Sequence, residues 1–541
     1  MGKRAIREDR SRRNAPQAVR RRLHVEEASR EQLREEVRRR DRDLGRLGRE
    51  NEELRRKLTE AENNVAERDK KIAERDKKIA ERDKKIAERD KKIADLERQL
   101  AARRQNSTNS SKPPSSDGLA GEPRVRGRRK RSRRKPGGQK GHPGAHRHLV
   151  PPEQVDHIED VLPEQCGHCH QALPDQLDQV RTEGAVQRHQ VTELPPLKAQ
   201  VTEYRCHRVL CPACGNGTRA PLPAEAQGHF GPQLAALIAY LTVVCRMPRR
   251  VVEALLEQAL KIPISLGSAQ KCWEEVSAAV AAPCQQLQEQ LRHEPVLNID
   301  ETGWRNNGEK RYLWAFVAAL YVVYTVARTR SSEVLIQLLG AAFRGILCSD
   351  RFSAYLKYHQ GTAQYCWAHL KRNILGILEF TKSTAVERFC RDALALHARL
   401  FRLWHKFRGG QIHRSQLILR SIPLQQKFFA LAERHLDDPN KEVRNLAATW
   451  FMQCQRLFAF IEHEGVEPTN NSAERALRTG VQWRKICFGN RSDQGELATA
   501  RLLTVAETCE KQGRNTLAYL TEAVTRHRRR QAAVSLLPAH E

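Results

Sequence analysis

Two stretches decide how this chain folds: PVLNIDETGW, residues 295–304, and FRGILCSDRFSAY, residues 343–355. In each, a short apolar run (Val296–Ile299, Ile346–Cys348) leads into an aspartate, Asp300 or Asp350. Such runs read as buried strands, with the acids where the strands end. Between them, KRYLWAFVAALYVVYTVAR (310–328) reads as two antiparallel strands and SSEVLIQLLGAAF (331–343) as a helix; AQYCWAHLKRNI (363–374) adds one more strand. The order strand–strand–strand–helix–strand–helix–strand predicts a mixed α/β sheet. No Gly or Pro marks a turn around Ala318–Tyr321, which leaves that hairpin's register open.

An Asp at the end of each of two neighbouring strands can hold a divalent cation. Further on, EPTNNSAERALRTGVQWRK (467–485) carries a helix cap at Thr469–Asn470–Asn471 and Glu474 near the helix start. Three carboxylates suit two magnesium ions acting on the attacking and leaving oxygens of a phosphodiester. Taken singly, an Asp is more often a cap or a surface residue, so spacing alone does not decide.

Outward from this core the chain is strongly basic. Its 541 residues hold 95 Lys+Arg against 65 Asp+Glu, a formal charge of +30, and 39% are hydrophobic. That length implies several domains, and that charge implies a polyanionic partner, nucleic acid before an anionic membrane surface. The longest uncharged apolar stretch, Leu313–Ala327, is shorter than the roughly 18–20 residues of a membrane span. MGKRAIREDRSRR at the N-terminus has no apolar stretch behind its charges, so no signal peptide is expected. The thinly spread cysteines fit a reducing compartment; a cytoplasmic, nucleoid-associated setting is the expectation.

The N-terminal part reads as a rod. AERDKKI repeats four times from Ala66 to Ile93, and with Ile72 at heptad position a, Val37, Leu44, Leu58, Val65, Ile79, Ile86, Ile93 and Leu100 also fall at a. Leu33, Leu47, Leu54 and Leu96 fall at d, whereas the repeats place Arg68, Arg75, Arg82 and Arg89 there. A seven-residue apolar period predicts a parallel, dimerising coiled coil, with Asn51 at a as a register device. A lone helix held by Glu67–Lys71 and Glu74–Lys78 pairs is the alternative.

The helix pattern stops at QNSTNSSKPPSSDG (105–118), a flexible linker. RVRGRRKRSRRK (124–135) follows, with Arg128, Arg129, Lys130, Arg131, Arg133, Arg134 and Lys135 as candidate phosphate contacts. KPGGQKGHPGAH (135–146) is a further glycine-rich loop. Next come two C-x2-C knuckles, Cys166/Cys169 and Cys211/Cys214, a ligand set for one structural, tetrahedral zinc with no open position. Cys206, His168, His170 and His207 could substitute, and AVQRHQVTEL and KAQVTEYRCHRVL suggest a hairpin between the knuckles. Three short helices follow at 231–244, 248–260 and 265–280, the last capped by Ser265 or Ser268. They resemble a helix-turn-helix, and equally an ordinary packing unit.

NIDETGW, SDRFSAY, CWAHLKR and EPTNNSAERALR together closely resemble the IS66 family of bacterial insertion-sequence transposases. NSSKPPSSDG, GGQKGHPG and the knuckles match that family's N-terminal regions, so the resemblance spans roughly residues 105–525. It implies a ribonuclease-H-like core with a DDE triad, carried over to Asp300, Asp350 and Glu474, and a helical insertion before the last acid. It also implies cleavage at element ends and strand transfer to target DNA with two Mg2+ ions, and suggests small accessory proteins. Arg475, Arg478, Arg484 and Lys485, with Trp483, suit a grip on the DNA backbone, and His369, Lys371 and Arg372 would face the site from the neighbouring strand.

The expected organisation is a multidomain α/β protein: a coiled-coil rod (1–104), a flexible basic linker (105–150), a zinc-binding module (151–225) and a helix-turn-helix-like segment (226–292). A ribonuclease-H-like DDE domain (293–488) with a helical insertion at about 376–466 and a C-terminal helical tail (489–541) complete it. The expected assembly is a homodimer or higher oligomer on DNA, with no membrane partner. A non-catalytic zinc-containing DNA-binding regulator and a nuclease of the same fold are the rival readings.

Overall fold

The computed structural model describes residues 17–104, 148–195, 197–226 and 228–537. Two compact units divide the chain, residues 1–104 and 105–541. In the first, α1 (Gln17–Arg104) is one continuous helix of 88 residues, about 130 Å long at 1.5 Å per residue. Pairs four residues apart brace it, with Lys71 Nζ 2.7 Å from Glu67 Oε1 and Lys78 Nζ 2.7 Å from Glu74 Oε1. Its heptad stripe faces water: Leu44 is 65% exposed and Ile72 54%.

In the second unit, a hairpin of β1 (Arg208–Leu210) and β2 (Gly217–Arg219) surrounds the second knuckle. The expected hairpin between the knuckles is not formed: residues 185–195 contain no strand, and the 198–210 stretch contributes only β1 at its end, which pairs with β2 beyond Cys214. Helices α2 (Pro232–Val243), α3 (Arg249–Leu260), α4 (Leu266–Ala279) and α5 (Ala281–Gln290) follow. Ser265 caps α4, its hydroxyl accepting the Ser268 amide at 3.2 Å. Ala236, Ile238, Val252, Leu256, Trp273 and Val276 are buried in the same core as the sheet, so these helices form one body with it. The last helix, α15 (Thr516–Arg528), closes that body through Arg528, whose Nε donates to Glu275 Oε1 of α4 at 2.8 Å.

The sheet has five strands: β3 (Val296–Asn306), β4 (Glu309–Val317), β5 (Val322–Ala327), β6 (Ile346–Ser349) and β7 (Ala363–Tyr365), in the order β5-β4-β3-β6-β7. β3, β4 and β5 are antiparallel; β6 and β7 run parallel to β3. α6 (Ser332–Leu339) and α7 (Ser353–Tyr358) supply the crossovers. The strand and helix order is the expected one, but element boundaries differ, first at β3. β3 continues six residues past Asp300, so that acid lies within a strand. The reason is the turn Asn307–Gly308, with φ of +47° and +82°, which joins Asn306 to its partner Glu309 as a two-residue hairpin. The second hairpin fixes its register without Gly or Pro, the Ala318 amide donating to Tyr321 O at 3.0 Å.

Both sheet edges are sealed. At β5, the amides of Val322 and Tyr324 donate to the hydroxyls of Thr508 and Thr504 on α14 (Asp493–Lys511), at 3.2 and 3.0 Å. This makes α14 part of the core, since an unpaired edge would otherwise expose a row of backbone donors. At β7, Gln364 bridges to α12 (Gln455–Glu462), donating to Leu457 O at 3.1 Å and accepting from Phe460 N at 2.9 Å. α12 belongs to a second core, with α8 (Trp367–Phe380), α9 (Thr384–Arg408), α10 (Arg414–Glu433) and α11 (Lys441–Met452).

The last structural element of the site is α13 (Asn471–Cys487), which packs on β3 and β4. Gly480 permits the approach, because a Cβ there would run into the Leu313 side chain of β4. Gly480→Val is therefore expected to push α13 off the sheet. The expected cost is about 1–3 kcal/mol of stability, read as a lower denaturation midpoint, and Glu474 moves with its helix.

Candidate active site

Parallel pairing of Asn298 with Cys348 sets the site. Two residues further along are Asp300, within β3, and Asp350, one residue past the end of β6, placed on one face by the alternation of side chains. Both keep a partial opening to solvent. The Asp300 carboxylate accepts the Glu301 amide at 2.9 Å. Burial holds its pKa well above the usual carboxylate range, and the negative charges of Glu301, Asp350 and Glu474 add to the shift. Asp350 is also raised by burial; the Phe352 amide, donating at 2.8 Å, and Arg330, Arg351 and Arg372 partly offset this.

Glu474 arrives on the first turn of α13. Asn470, the residue before that helix, does not cap it with its side chain. Its carboxamide donates instead to Ile299 O of β3 at 2.8 Å, and its amide donates to Cys366 Sγ at 3.2 Å. The Trp367 amide adds a third tie, to Pro468 O at 2.9 Å. The expected cap thus serves to clamp α13 beside Asp300. The Glu474 Oε1 atom lies 3.4 Å from Arg372 Nη2 and 3.6 Å from His369 Nδ1.

His369, Lys371 and Arg372 do not sit on a strand. The strand in this stretch ends at Tyr365, and all three lie on α8. The apolar positions Trp367, Leu370, Ile374 and Ile377 are spaced as one buried helical face, which overrides the strand reading of a short apolar run. Burial and the nearby charges of Arg372 and Arg351 lower the His369 pKa to about 4, so the ring is neutral. Asn373, oriented to satisfy both neighbours, donates to His369 O and accepts from Arg351 Nη2, each at 2.7 Å.

Sequence reading missed Glu301, Arg330, Tyr355, Arg351 and Cys366. Glu301 points to the opposite face from Asp300, where its buried carboxylate is held by the Arg330 guanidinium and the Tyr355 hydroxyl. The only signal was an acid directly following Asp300 in a strand with both faces covered, which demands a partner for each.

On α13, Arg475, Arg478 and Lys485 form an exposed stripe. Arg484 folds back onto β3, donating to Gly303 O and lying 3.4 Å from Thr302 Oγ1. Trp483 is 5% exposed and belongs to the core, so it is unavailable to DNA. The basic run Arg128, Arg129, Lys130, Arg131, Arg133, Arg134 and Lys135 lies outside the described residues.

The knuckles share one local geometry. The Cys166 amide donates to Gln171 O and the His170 amide to Cys166 O; the Cys211 amide donates to Asn216 O and the Gly215 amide to Cys211 O, all at 2.9 Å. Backbone N–H groups of Cys169 and His168, and of Ala213 and Cys214, lower the thiol pKa of Cys166 and Cys211. That favours the thiolate a metal needs. Among the described residues, one His/Cys/Asp/Glu group has all its ligand atoms within 4.8 Å of one another, and it is Cys366, His369 and Glu474. Neither Asp300, Asp350 and Glu474 nor the knuckle cysteines Cys166, Cys169, Cys211 and Cys214 are gathered into such a group. Three carboxylates are an all-oxygen donor set of the kind magnesium takes.

Residues 227–498, half of the chain, match the family model described as Transposase IS66 family. Residues 16–148 match a family of unknown function, DUF6444. The chain is 25% identical over 240 residues to an uncharacterized protein, y4qI, of Sinorhizobium fredii (strain NBRC 101917 / NGR234), an alignment covering 40% of this chain and 44% of that protein. The chain thus spans less than half the length of the relative it matches. No helix among the described residues is long and apolar enough to cross a membrane.

Proposed function

The chain belongs to the IS66 family of transposases, and we propose that it cuts DNA at the ends of an insertion sequence and joins them to target DNA on a ribonuclease-H-like core. One observation carries the catalytic reading. The β3–β6 register sets Asp300 beside Asp350, and Glu474 adds its charge to the same pocket.

In this reading Asp300 and Asp350 hold two magnesium ions, with Glu474 on one of them. When bound, magnesium supplies Lewis-acid stabilisation of charge on the attacking and leaving oxygens. The residues of the chain do the rest. Asn470 fixes the height of α13 against β3. Arg351 and Arg372 supply positive charge beside the acids, which favours a phosphate approaching them. His369, neutral, offers a ring nitrogen without adding charge. The exposed stripe Arg475–Arg478–Lys485 extends the path for a DNA backbone away from the acids. Water attacks the phosphodiester at the element end, breaking the P–O3′ bond to leave a 3′ hydroxyl on the element and a 5′ phosphate on the flank; that hydroxyl then attacks a target phosphodiester in line, whose own 3′ oxygen leaves as a hydroxyl.

The rod supports pairing of protomers, since its heptad stripe is unburied along α1 and two ends must be held together. The basic run at 124–135 adds sequence-independent affinity. Small accessory proteins remain part of the proposal, as does a cytoplasmic, nucleoid-associated setting.

The test is an assay with paired element-end duplexes, a plasmid target and magnesium. Joined product is expected; hydrolysis with no joining favours a nuclease, and binding without cleavage favours a regulator. The knuckles are proposed to share one structural zinc. Elemental analysis is expected to find about one zinc per chain, and Cys211→Ser is expected to lower it; native protein without zinc overturns this.

A further inference from the structure

We propose that Cys366, His369 and Glu474 form a second metal site, selective for a thiophilic divalent cation such as zinc, and that zinc bound there removes Glu474 from magnesium and arrests strand cleavage. The inhibitory part rests on the reading of Glu474 as the third acid; the binding part does not.

The geometry is already close to what zinc requires. Around a tetrahedral zinc, with Zn–S ≈ 2.3 Å and Zn–N and Zn–O ≈ 2.0–2.1 Å, ligand atoms lie roughly 3.3–3.6 Å apart. His369 Nδ1 and Glu474 Oε1 are 3.6 Å apart, and the Cys366 sulfur lies within 4.8 Å of both. Cys366 and His369 are three residues apart at the start of α8, so one helical turn presents both. Glu474 comes from the first turn of α13, and the Asn470 amide bond to Cys366 Sγ holds the two helix starts together.

Two features point to a ligand. His369 Nδ1 is buried without a hydrogen-bond partner, so its lone pair is uncommitted. The Cys366 sulfur, on a residue 2% exposed, receives a backbone N–H that steadies a metal thiolate; burial pushes the free thiol up to about 11, so the metal itself must displace the proton. The donor set of sulfur, imidazole nitrogen and carboxylate oxygen selects zinc, cobalt or cadmium over magnesium, which prefers oxygen alone. Three protein ligands leave a fourth position for water, unlike a closed structural site. Arg372 is the present partner of Glu474 at 3.4 Å; the carboxylate's second oxygen lets it keep that contact while the first turns to zinc. Binding forms a Zn–S bond and breaks the S–H bond, releasing one proton to solvent, with no change of oxidation state.

The experiment uses full-length protein carrying its purified zinc complement. Additional zinc, and separately cobalt(II), is titrated into wild type, Cys366→Ser and His369→Gln. Wild type is expected to take up one ion more per chain than either variant, with a sulfur-to-cobalt charge-transfer band that Cys366→Ser lacks. Equal uptake by all three overturns the site. In magnesium-driven cleavage, micromolar zinc is expected to inhibit wild type, and Cys366→Ser is expected to need at least about tenfold more, or ~1.4 kcal/mol of binding. Zinc uptake without inhibition overturns the regulatory claim. If no variant cleaves at all, the uptake comparison decides the binding claim alone. His369→Gln keeps the binding test valid should Cys366→Ser fail to fold.

Discussion

Asp300→Asn is expected to reduce strand cleavage by at least about 10³-fold while leaving DNA affinity within about twofold. Losing an anionic metal ligand removes several kcal/mol of transition-state charge stabilisation, and each ~1.4 kcal/mol is a factor of ten. Asparagine keeps the shape and can still accept the Glu301 amide that Asp300 accepts at 2.9 Å. Asp300 is buried and pushed by Glu301, Asp350 and Glu474. A carboxyl whose folded pKa is raised binds its proton more tightly folded than unfolded. It therefore costs stability at neutral pH, a cost that vanishes as pH falls below the unfolded pKa. Removing it should leave the denaturation midpoint unchanged or higher, the usual exchange of stability against function at an active site. Single-turnover cleavage, fluorescence anisotropy on an end-bearing duplex and a melting curve check the three parts. Retained cleavage places the chemistry elsewhere; joint loss of cleavage and binding turns Asp300 into a DNA-binding residue.

The largest stability effect is expected from Trp367→Ala, about 3–5 kcal/mol. Trp367 is fully buried and sits where the sheet, the helical insertion and the approach to α13 meet. Its ring lies 5.2 Å from Phe428, 5.7 Å from Phe458 and 5.8 Å from His397, and its Nε1 donates to Leu457 O at 2.6 Å. Truncation leaves a cavity among aromatic side chains that cannot collapse, and loosens the turn that carries His369 and Arg372. Trp367→Phe keeps most of the packing and should lose less than half as much. Denaturant titration followed by far-UV circular dichroism separates them; equal midpoints for Trp367→Ala and wild type would show that the insertion is not anchored there.

Glu301 and Asp300 illustrate how far local pattern carries. The apolar run Val296–Ile299 identifies the strand but not its end at Asn306, because Asp, Glu and Gly look like a terminus when the partner strand is unseen. Asn307–Gly308 was the local signal for a longer strand. At CWAHLKR the error ran the other way: a strand was carried into a helix whose buried face, Trp367 to Ile377, packs on an insertion far along the chain. Asn470 reads as a helix-start residue, but its side-chain carboxamide donates to Ile299 O, a bond that no local pattern encodes.

Sequence alone determined the long helix of the rod, the strand and helix order of the sheet domain and the knuckle turns, since each depends on residue type and short-range spacing; the choice of acids rests on the family resemblance. Only tertiary structure decided which acids meet, that Glu301 turns away toward Arg330 and Tyr355, and that Cys366 and His369 stand beside Glu474. Those depend on strand order, β5-β4-β3-β6-β7, and on packing across a long insertion. Contacts of that kind follow from burying one shared apolar core, to which every element contributes at once and no single segment carries the answer.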